Sequence, residues 1–232
     1  MKLTFHLCIL STLAAVSLAF AAEQSPPKTA AEPAKRAAAP AKPAAFPPGV
    51  WVPLFDGKTL GNWKPSDFPP NGKIEVKDGL LKIGMGEPMS GITWRGELPA
   101  RMNYEIELEA MRTEGHDFFC GLTFPVGKDP CSLICGGWGG SVVGLSSIDG
   151  LDASENTTTT TEDFENNRWY KIKVRVTKQR VEAWIDGELI VNQELEGHEI
   201  GIRWEVEPSV PLGIATWLTG SALRNIRWRN LD

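Results

Sequence analysis

Alternation of apolar and charged residues with a period of two is the feature that most constrains the fold of this chain. In one run, apolar residues at 104, 106, 108 and 110 alternate with glutamates at 105, 107 and 109. A second run, 170–176, alternates in the same way with basic residues, and Asp186-Gly187 marks a hairpin between two further runs. No run of 12 or more residues has helical periodicity. About a dozen short strands with turn signals between them predict an all-β protein, an antiparallel β-sandwich.

Three segments of different composition predict the domain organisation. Residues 1–22 carry Lys2, an apolar stretch over 7–18 and small residues around Phe20, which is the pattern of a signal peptide. Residues 23–48, rich in Ala, Pro and Lys, read as a semi-stiff linker, and 49–232 as one sandwich domain. We expect export to the periplasm or cell surface, with no integral membrane segment in the mature form.

Charge and aromatic content narrow the class of partner. The formal net charge of −5 argues against nucleic acid as a partner. Nine Trp against two Tyr fit a β-rich protein that handles carbohydrate, since a Trp face stacks on sugar rings, and they equally fit an ordinary β core.

The segment 135–156 collects several candidate site residues. Glycines flank Trp138, and a polar cluster follows at the end of the segment: Ser147, Asp149, Asp152, Glu155 and Asn156. Such groups can bind sugar hydroxyls, and the spacing of the three acidic residues makes calcium possible, although no cofactor is required. The alternative is a tight turn around a core Trp followed by an acidic surface loop.

His116 and Asp117, just before an apolar strand, are predicted to be catalytic. A histidine beside an aspartate is a candidate general base, and Asp149 is a third candidate. Trp94, Arg95 and Trp217 are predicted to line the same substrate-binding face as Trp138. The alternative for each of these residues is an ordinary turn or packing role.

Three cysteines follow the predicted signal peptide. If 118–124 and 131–137 form a hairpin, Cys120 faces Cys135 and the two could form a disulfide. A disulfide between Cys120 and Cys131 is the alternative. One thiol is left over in either case.

Several motifs in order resemble a known family. The opening segment 51–63, WVPLFDGKTLGNW, is similar to the start of the DUF1080 or 3-keto-disaccharide hydrolase family, and 76–82, Trp169, Asp186-Gly187 and 223–228 fit its later landmarks. The resemblance implies an exported concanavalin A-like jelly roll acting on 3-keto-glycosides, by hydrolysis or by elimination followed by hydration.

The centre of the sequence departs from the family's usual pattern. Segment 115–124, GHDFFCGLTF, stands where an Asn-Ser-Gly segment leads into a strand with an arginine. We therefore expect this chain to share the family's fold more fully than its catalytic residues. Two other functions stay open: a non-catalytic carbohydrate-binding or cell-surface module, and a structural interaction domain.

Overall fold

The computed structural model describes residues 46–232, so the predicted signal peptide and most of the predicted linker lie outside the described residues. This part of the chain forms fifteen strands and one short 3-10 helix, Trp204–Ser209. The strands are β1 (Val52–Pro53), β2 (Trp63–Pro65), β3 (Ile74–Lys77), β4 (Leu80–Ile83), β5 (Met89–Trp94), β6 (Tyr104–Gly115), β7 (Cys120–Val126), β8 (Asp129–Gly137), β9 (Val142–Ser146), β10 (Thr160–Thr161), β11 (Trp169–Val176), β12 (Arg180–Ile185), β13 (Glu188–Glu194), β14 (Gly213–Trp217) and β15 (Thr219–Asn230).

Two antiparallel sheets contain all of these strands. The first sheet runs β13-β12-β11-β6-β15-β4-β3, with β1 also paired to β15, and the second runs β10-β9-β8-β7-β14-β5-β2. The prediction of an all-β antiparallel sandwich is confirmed. Within residues 46–232 no helix is long and apolar enough to cross a bilayer.

The core lies between the sheets because alternate residues of each strand point inward. On the first sheet Tyr104 stacks on Trp228 with ring centroids 3.9 Å apart. Trp63 and Trp94, from adjacent strands of the second sheet, meet edge to face at 5.2 Å. All four rings are buried, so each pair packs neighbouring strands of its own sheet within the common core.

The outer face of the first sheet carries a ladder of ion pairs. Three glutamates of β6 each contact at least one arginine on a neighbouring strand: Glu105 contacts Arg175 and Arg229, Glu107 contacts Arg227, and Glu109 contacts Arg224. The alternation that predicted the strands therefore separates this charged face from the apolar core face.

Local conformation supports the predicted hairpin between β12 and β13. Asp186 and Gly187 have φ of 50° and 91°, which is the positive-φ pair that a two-residue hairpin requires. The hairpin prediction is confirmed.

The outer face of the second sheet is partly covered by loops. Ile134 of β8 and Ala215 of β14 point away from the main core and pack with Phe118, Met89 and Val206 in a second, smaller apolar cluster. Val206 belongs to the 3-10 helix, so the chain between β13 and β14 folds back over this sheet. The space left beneath that covering is the candidate site.

Candidate functional site

A cavity of about 230 Å³ opens on the outer face of the second sheet, and we call it the sheet cavity. Its lining comes from strands, two turns and the 3-10 helix: Met89, Asp117, Phe118, Ser132, Ile134, Trp138, Ser146, Arg203, Glu205, Val206 and Trp217. It combines aromatic rings, two carboxylates and a guanidinium, as ligand sites commonly do.

The floor of the sheet cavity is formed by β8 and β9. Ser132 and Ser146 are register partners on these strands, and the Ser132 hydroxyl lies 2.8 Å from that of Thr123. The Ser146 hydroxyl is buried, with the residue 2% exposed, and has no hydrogen-bond partner in residues 46–232. A buried hydroxyl without a partner costs free energy, so this group is available to a bound ligand.

Asp117 stands in the turn between β6 and β7. Its Oδ1 accepts from the Phe118 N–H at 2.7 Å and its Oδ2 from the Gly139 N–H at 2.9 Å, while its own N–H donates to the Thr219 hydroxyl at 3.1 Å. The carboxylate therefore joins the β6–β7 turn to the turn that carries Trp138. Each oxygen keeps a further lone pair for a ligand.

Buried Arg112 supports this turn from below. Its guanidinium donates to Asn166 Oδ1 at 2.6 Å, to the Phe164 carbonyl, and to the Asp117 carbonyl at 3.4 Å. Burial lowers the pKa of Arg112, against the opposing influence of Tyr170 and Asp117. Arg112 thus fixes the backbone on which Asp117 stands.

Aromatic side chains form one wall of the cavity. Trp138 has φ of 49° in the β8–β9 turn and is 43% exposed, so one face of its indole is open to solvent. Half-buried Trp217 lies 6.5 Å from the Phe118 ring, centroid to centroid. A sugar ring can stack on surfaces of this kind.

A charged network forms the opposite wall. Arg203 donates through Nη2 to Glu205 Oε1 at 2.7 Å, through Nε to Glu205 Oε2 at 3.2 Å, and through Nη1 to Asp152 Oδ2 at 2.6 Å. The hydrogen bonds from Arg203 hold the pKa of Glu205 below its ordinary value, and those to Glu205 raise the pKa of Arg203. Since a guanidinium has five N–H donors, two remain for a ligand.

Asp152 completes this network from outside the cavity. Burial favours its neutral form, but hydrogen bonds from Ser154 and the charge of Arg203 more than offset that effect, so the pKa of Asp152 falls below its ordinary value. Asp152 therefore stays ionised and orients Arg203.

Three predicted site residues line the sheet cavity: Asp117, Trp138 and Trp217. Two others support its wall. Asp152 binds Arg203, and the Ser147 N–H donates to the Gly201 carbonyl at 2.6 Å, which anchors the segment leading to Arg203.

The other predicted residues lie elsewhere. Trp94 is only 7% exposed and belongs to the core, because its position on β5 points inward. Arg95, His116 and Glu155 are exposed and line no part of the cavity. The Asn156 side chain ties its loop to β9, donating to the Leu145 carbonyl at 2.7 Å and accepting from the Thr158 N–H at 2.9 Å.

Asp149 does not line the sheet cavity. Its Oδ2 lies 2.7 Å from His198 Nδ1, and its Oδ1 accepts from the Glu199 N–H at 2.8 Å. The three acidic residues that suggested calcium thus have different surroundings. Between residues 46 and 232 no group of three or more His, Cys, Asp or Glu is placed to hold a metal ion.

All three cysteines of the described part are free and buried. Cys120 and Cys135 are register partners across β7 and β8, which is the first of the two predicted registers, and Cys131 lies opposite Phe124. They point into the core, so they take no part in the sheet cavity.

Sequence reasoning missed most of the residues that line the cavity. Arg203, Glu205 and Val206 sit in a segment without strand or helix periodicity. Met89 and Phe118 look like ordinary core residues in the sequence. A signal was present in the 203–205 Arg-Trp-Glu cluster, since charged residues around an exposed Trp are unusual for a plain loop.

The fold and site together define a concanavalin A-like β-sandwich domain with an aromatic and charged cavity on the outer face of one sheet. The chain belongs to the family of 3-keto-alpha-glucoside-1,2-lyase-like domains, whose family model matches residues 50–231. The resemblance predicted from the sequence is confirmed. No curated protein matches the chain.

Solved structures share the fold at low sequence identity. The apo Crh5 transglycosylase has a TM-score of 0.55 and 12% identity, over 82% of this chain and 85% of its own. A Bacillus subtilis protein of unknown function with a galectin-like fold gives 0.55 and 11%, over 80% and 98%. A structure reported with endo-acting O-glycanases of the human gut microbiota gives 0.54 and 12%, over 80% and 100%. These similarities concern the fold alone.

Proposed function

We propose that this protein is a carbohydrate-active domain that binds a 3-keto-glycoside in the sheet cavity and cleaves its glycosidic bond by elimination. Membership of the 3-keto-alpha-glucoside-1,2-lyase-like family supports this substrate class. The observation that carries the proposal is the placement of the Asp117 carboxylate and the Arg203 guanidinium around one small aromatic cavity.

Asp117 is the proposed general base. A ketone at C3 acidifies the hydrogen at C2, and Asp117 removes that proton. The electron pair of the C2–H bond forms the C1=C2 double bond, the C1–O bond breaks, and the leaving oxygen takes a proton from water. The hydroxide left from that water takes the proton from Asp117, which regenerates the carboxylate. Addition of water to the unsaturated sugar then completes the net hydrolysis.

Arg203 is the proposed electrostatic partner. Negative charge develops on the ketone oxygen as C2 loses its proton, and the two uncommitted N–H groups of Arg203 can donate to that oxygen. Both oxygens of Glu205 already accept hydrogen bonds from Arg203, which holds the pKa of Glu205 below its ordinary value, so Glu205 serves instead as an acceptor for sugar hydroxyls.

A non-catalytic carbohydrate-binding module is the second candidate. Trp204 on the 3-10 helix is 80% exposed, next to two residues that line the cavity. Exposed tryptophans beside a cavity suit a binding platform, which needs no base.

Incubation with 3-keto-disaccharides and with the corresponding ordinary disaccharides, followed by product analysis, tests the proposal. We expect turnover of the keto substrates only, and a loss of about 10²- to 10⁴-fold in kcat for Asp117→Asn. Glu155→Gln is the matched control, since that carboxylate is exposed and outside the cavity.

Each outcome of this assay separates the candidates. Wild-type turnover in the Asp117→Asn variant would exclude Asp117 as the base. Binding without turnover across the panel would establish the module and reject the lyase.

A further inference from the structure

A second cavity lies apart from the sheet cavity and shares no lining residue with it. It has a volume of about 680 Å³ and is bounded by the β7–β8 turn and the loop that follows β13, so we call it the loop cavity. That volume is within the range of about 300–1,000 Å³ typical of small-molecule sites.

A histidine–aspartate pair borders the loop cavity. His198 lines it, and Nδ1 of His198 is held at 2.7 Å by Asp149, whose other oxygen is fixed by the Glu199 N–H. An ionised carboxylate at Nδ1 places the ring proton there. In the neutral ring Nε2 is then a hydrogen-bond acceptor, and it has no partner within residues 46–232.

The backbone holds this pair in place. The Asp149 N–H donates to the Glu199 carbonyl at 2.8 Å, and Ile148 pairs with Ile200 in an antiparallel bridge. Such a carboxylate–imidazole arrangement fixes the ring orientation in advance of binding, which reduces the entropy lost when a ligand arrives.

The remaining lining indicates the chemistry of the ligand. Met102, Leu195 and Ile200 give an apolar surface, while Lys128, Asp129 and Glu199 provide a donor and two acceptors. The two carboxylates disfavour an anionic ligand. A sugar ring has both an apolar face and hydroxyls that can donate to Nε2 and to carboxylates.

We infer that the loop cavity is a second binding site, for a neutral carbohydrate, in which His198 accepts a hydrogen bond from a sugar hydroxyl and Asp149 is its positioning residue. This site is independent of the proposed lyase chemistry. It also gives Asp149 a role, although that residue lies outside the sheet cavity.

The test is a titration of the intact protein followed through the histidine ring ¹⁵N resonances. The probes are four neutral trisaccharides built from glucose, galactose, mannose or xylose. We expect at least one to shift the His198 Nε2 resonance saturably while the exposed His116 stays unchanged, and Asp149→Asn to weaken that binding about tenfold.

Two further variants keep the test decisive if a change at Asp149 unfolds the protein. Met102→Trp fills the loop cavity and should abolish the shift, whereas Trp138→Ala alters only the sheet cavity and should leave it intact. No saturable shift with any probe, or a shift that survives Met102→Trp, would overturn the inference.

Discussion

Asp117 is held by hydrogen bonds to both of its carboxylate oxygens, so the backbone of two turns sets its position before any ligand binds. Arg203 is fixed in a similar way between Glu205 and Asp152. Prearranged groups of this kind stabilise developing charge without reorganisation at the moment of reaction. Trp138 differs from both, because its open indole face is free to contact a ligand.

Replacing Trp138 tests the contribution of a single ring. We expect Trp138→Ala to raise KM about tenfold through loss of stacking area, with little change in melting temperature because the ring is 43% exposed. Steady-state kinetics on the keto-disaccharide and a thermal melt provide the measurements. Trp184→Ala, on the outer face of the first sheet, is the control, and an equal rise in its KM would argue against a specific role for Trp138.

At the scale of elements, the β8–β9 turn and the β6–β7 turn form one unit. A Cβ on Gly140 would lie 2.4 Å from the His116 carbonyl oxygen, so only glycine allows this approach. The neighbouring Gly139 has open space around it and donates to Asp117. Close contact between the two turns is what brings Trp138 next to Asp117.

A pair of glycine substitutions isolates that contact. Both glycines have positive φ, 92° at Gly139 and 116° at Gly140, so alanine is strained at either position. We expect Gly140→Ala to lower the free energy of unfolding by about 3 kcal/mol and Gly139→Ala by about 1 kcal/mol. Urea unfolding measures both, and equal losses would mean that the contact with His116 is unimportant.

The ion-pair ladder of the first sheet makes stability depend on pH. Glu105 is fully buried; burial favours its neutral form, but hydrogen bonds from Arg175 and Arg229 prevail and hold its pKa below the ordinary 4.5. A carboxylate whose pKa is lower in the folded state stabilises the fold above its unfolded pKa. That contribution is lost as the pH falls through the folded-state pKa.

Glu105→Gln should therefore cost about 2 kcal/mol of unfolding free energy at pH 7. The difference from wild type should narrow progressively below pH 4.5. Urea titrations across this range measure it. Glu194→Gln, whose carboxylate is 71% exposed in its pair with Arg180, should change stability little, and a pH-independent deficit in Glu105→Gln would contradict the argument.

At the scale of the whole molecule, one core supports two separate cavities. The link between them is the pairing of residues 147–149 with 199–201, since Ser147 supports the segment before Arg203 and Asp149 holds His198. The cysteines lie inside the common core rather than at either cavity. Burial raises the pKa of Cys131 to about 12, so its reactive thiolate is scarce at neutral pH.

Thiol labelling consequently reports on global unfolding. In a Cys8→Ser background we expect the three buried thiols to react with a disulfide reagent together, at the rate of global unfolding and with the same dependence on urea. Kinetics of labelling at neutral pH measure this. Rapid reaction of one thiol in native buffer would show a local opening of the second sheet.

The sequence by itself determined the strands, the Asp186-Gly187 hairpin, the sandwich class and the family, because these depend on local alternation, turn residues and motif order. It also predicted Asp117, Trp138 and Trp217 as site residues, and these three line the sheet cavity. Only the tertiary structure decided which candidates share a cavity. Trp94 points into the core and Asp149 hydrogen-bonds His198. Arg203 and Glu205 line the cavity although their segment has no strand or helix periodicity. These placements could not be predicted because strand register and the path of loops depend on contacts between residues far apart in the chain.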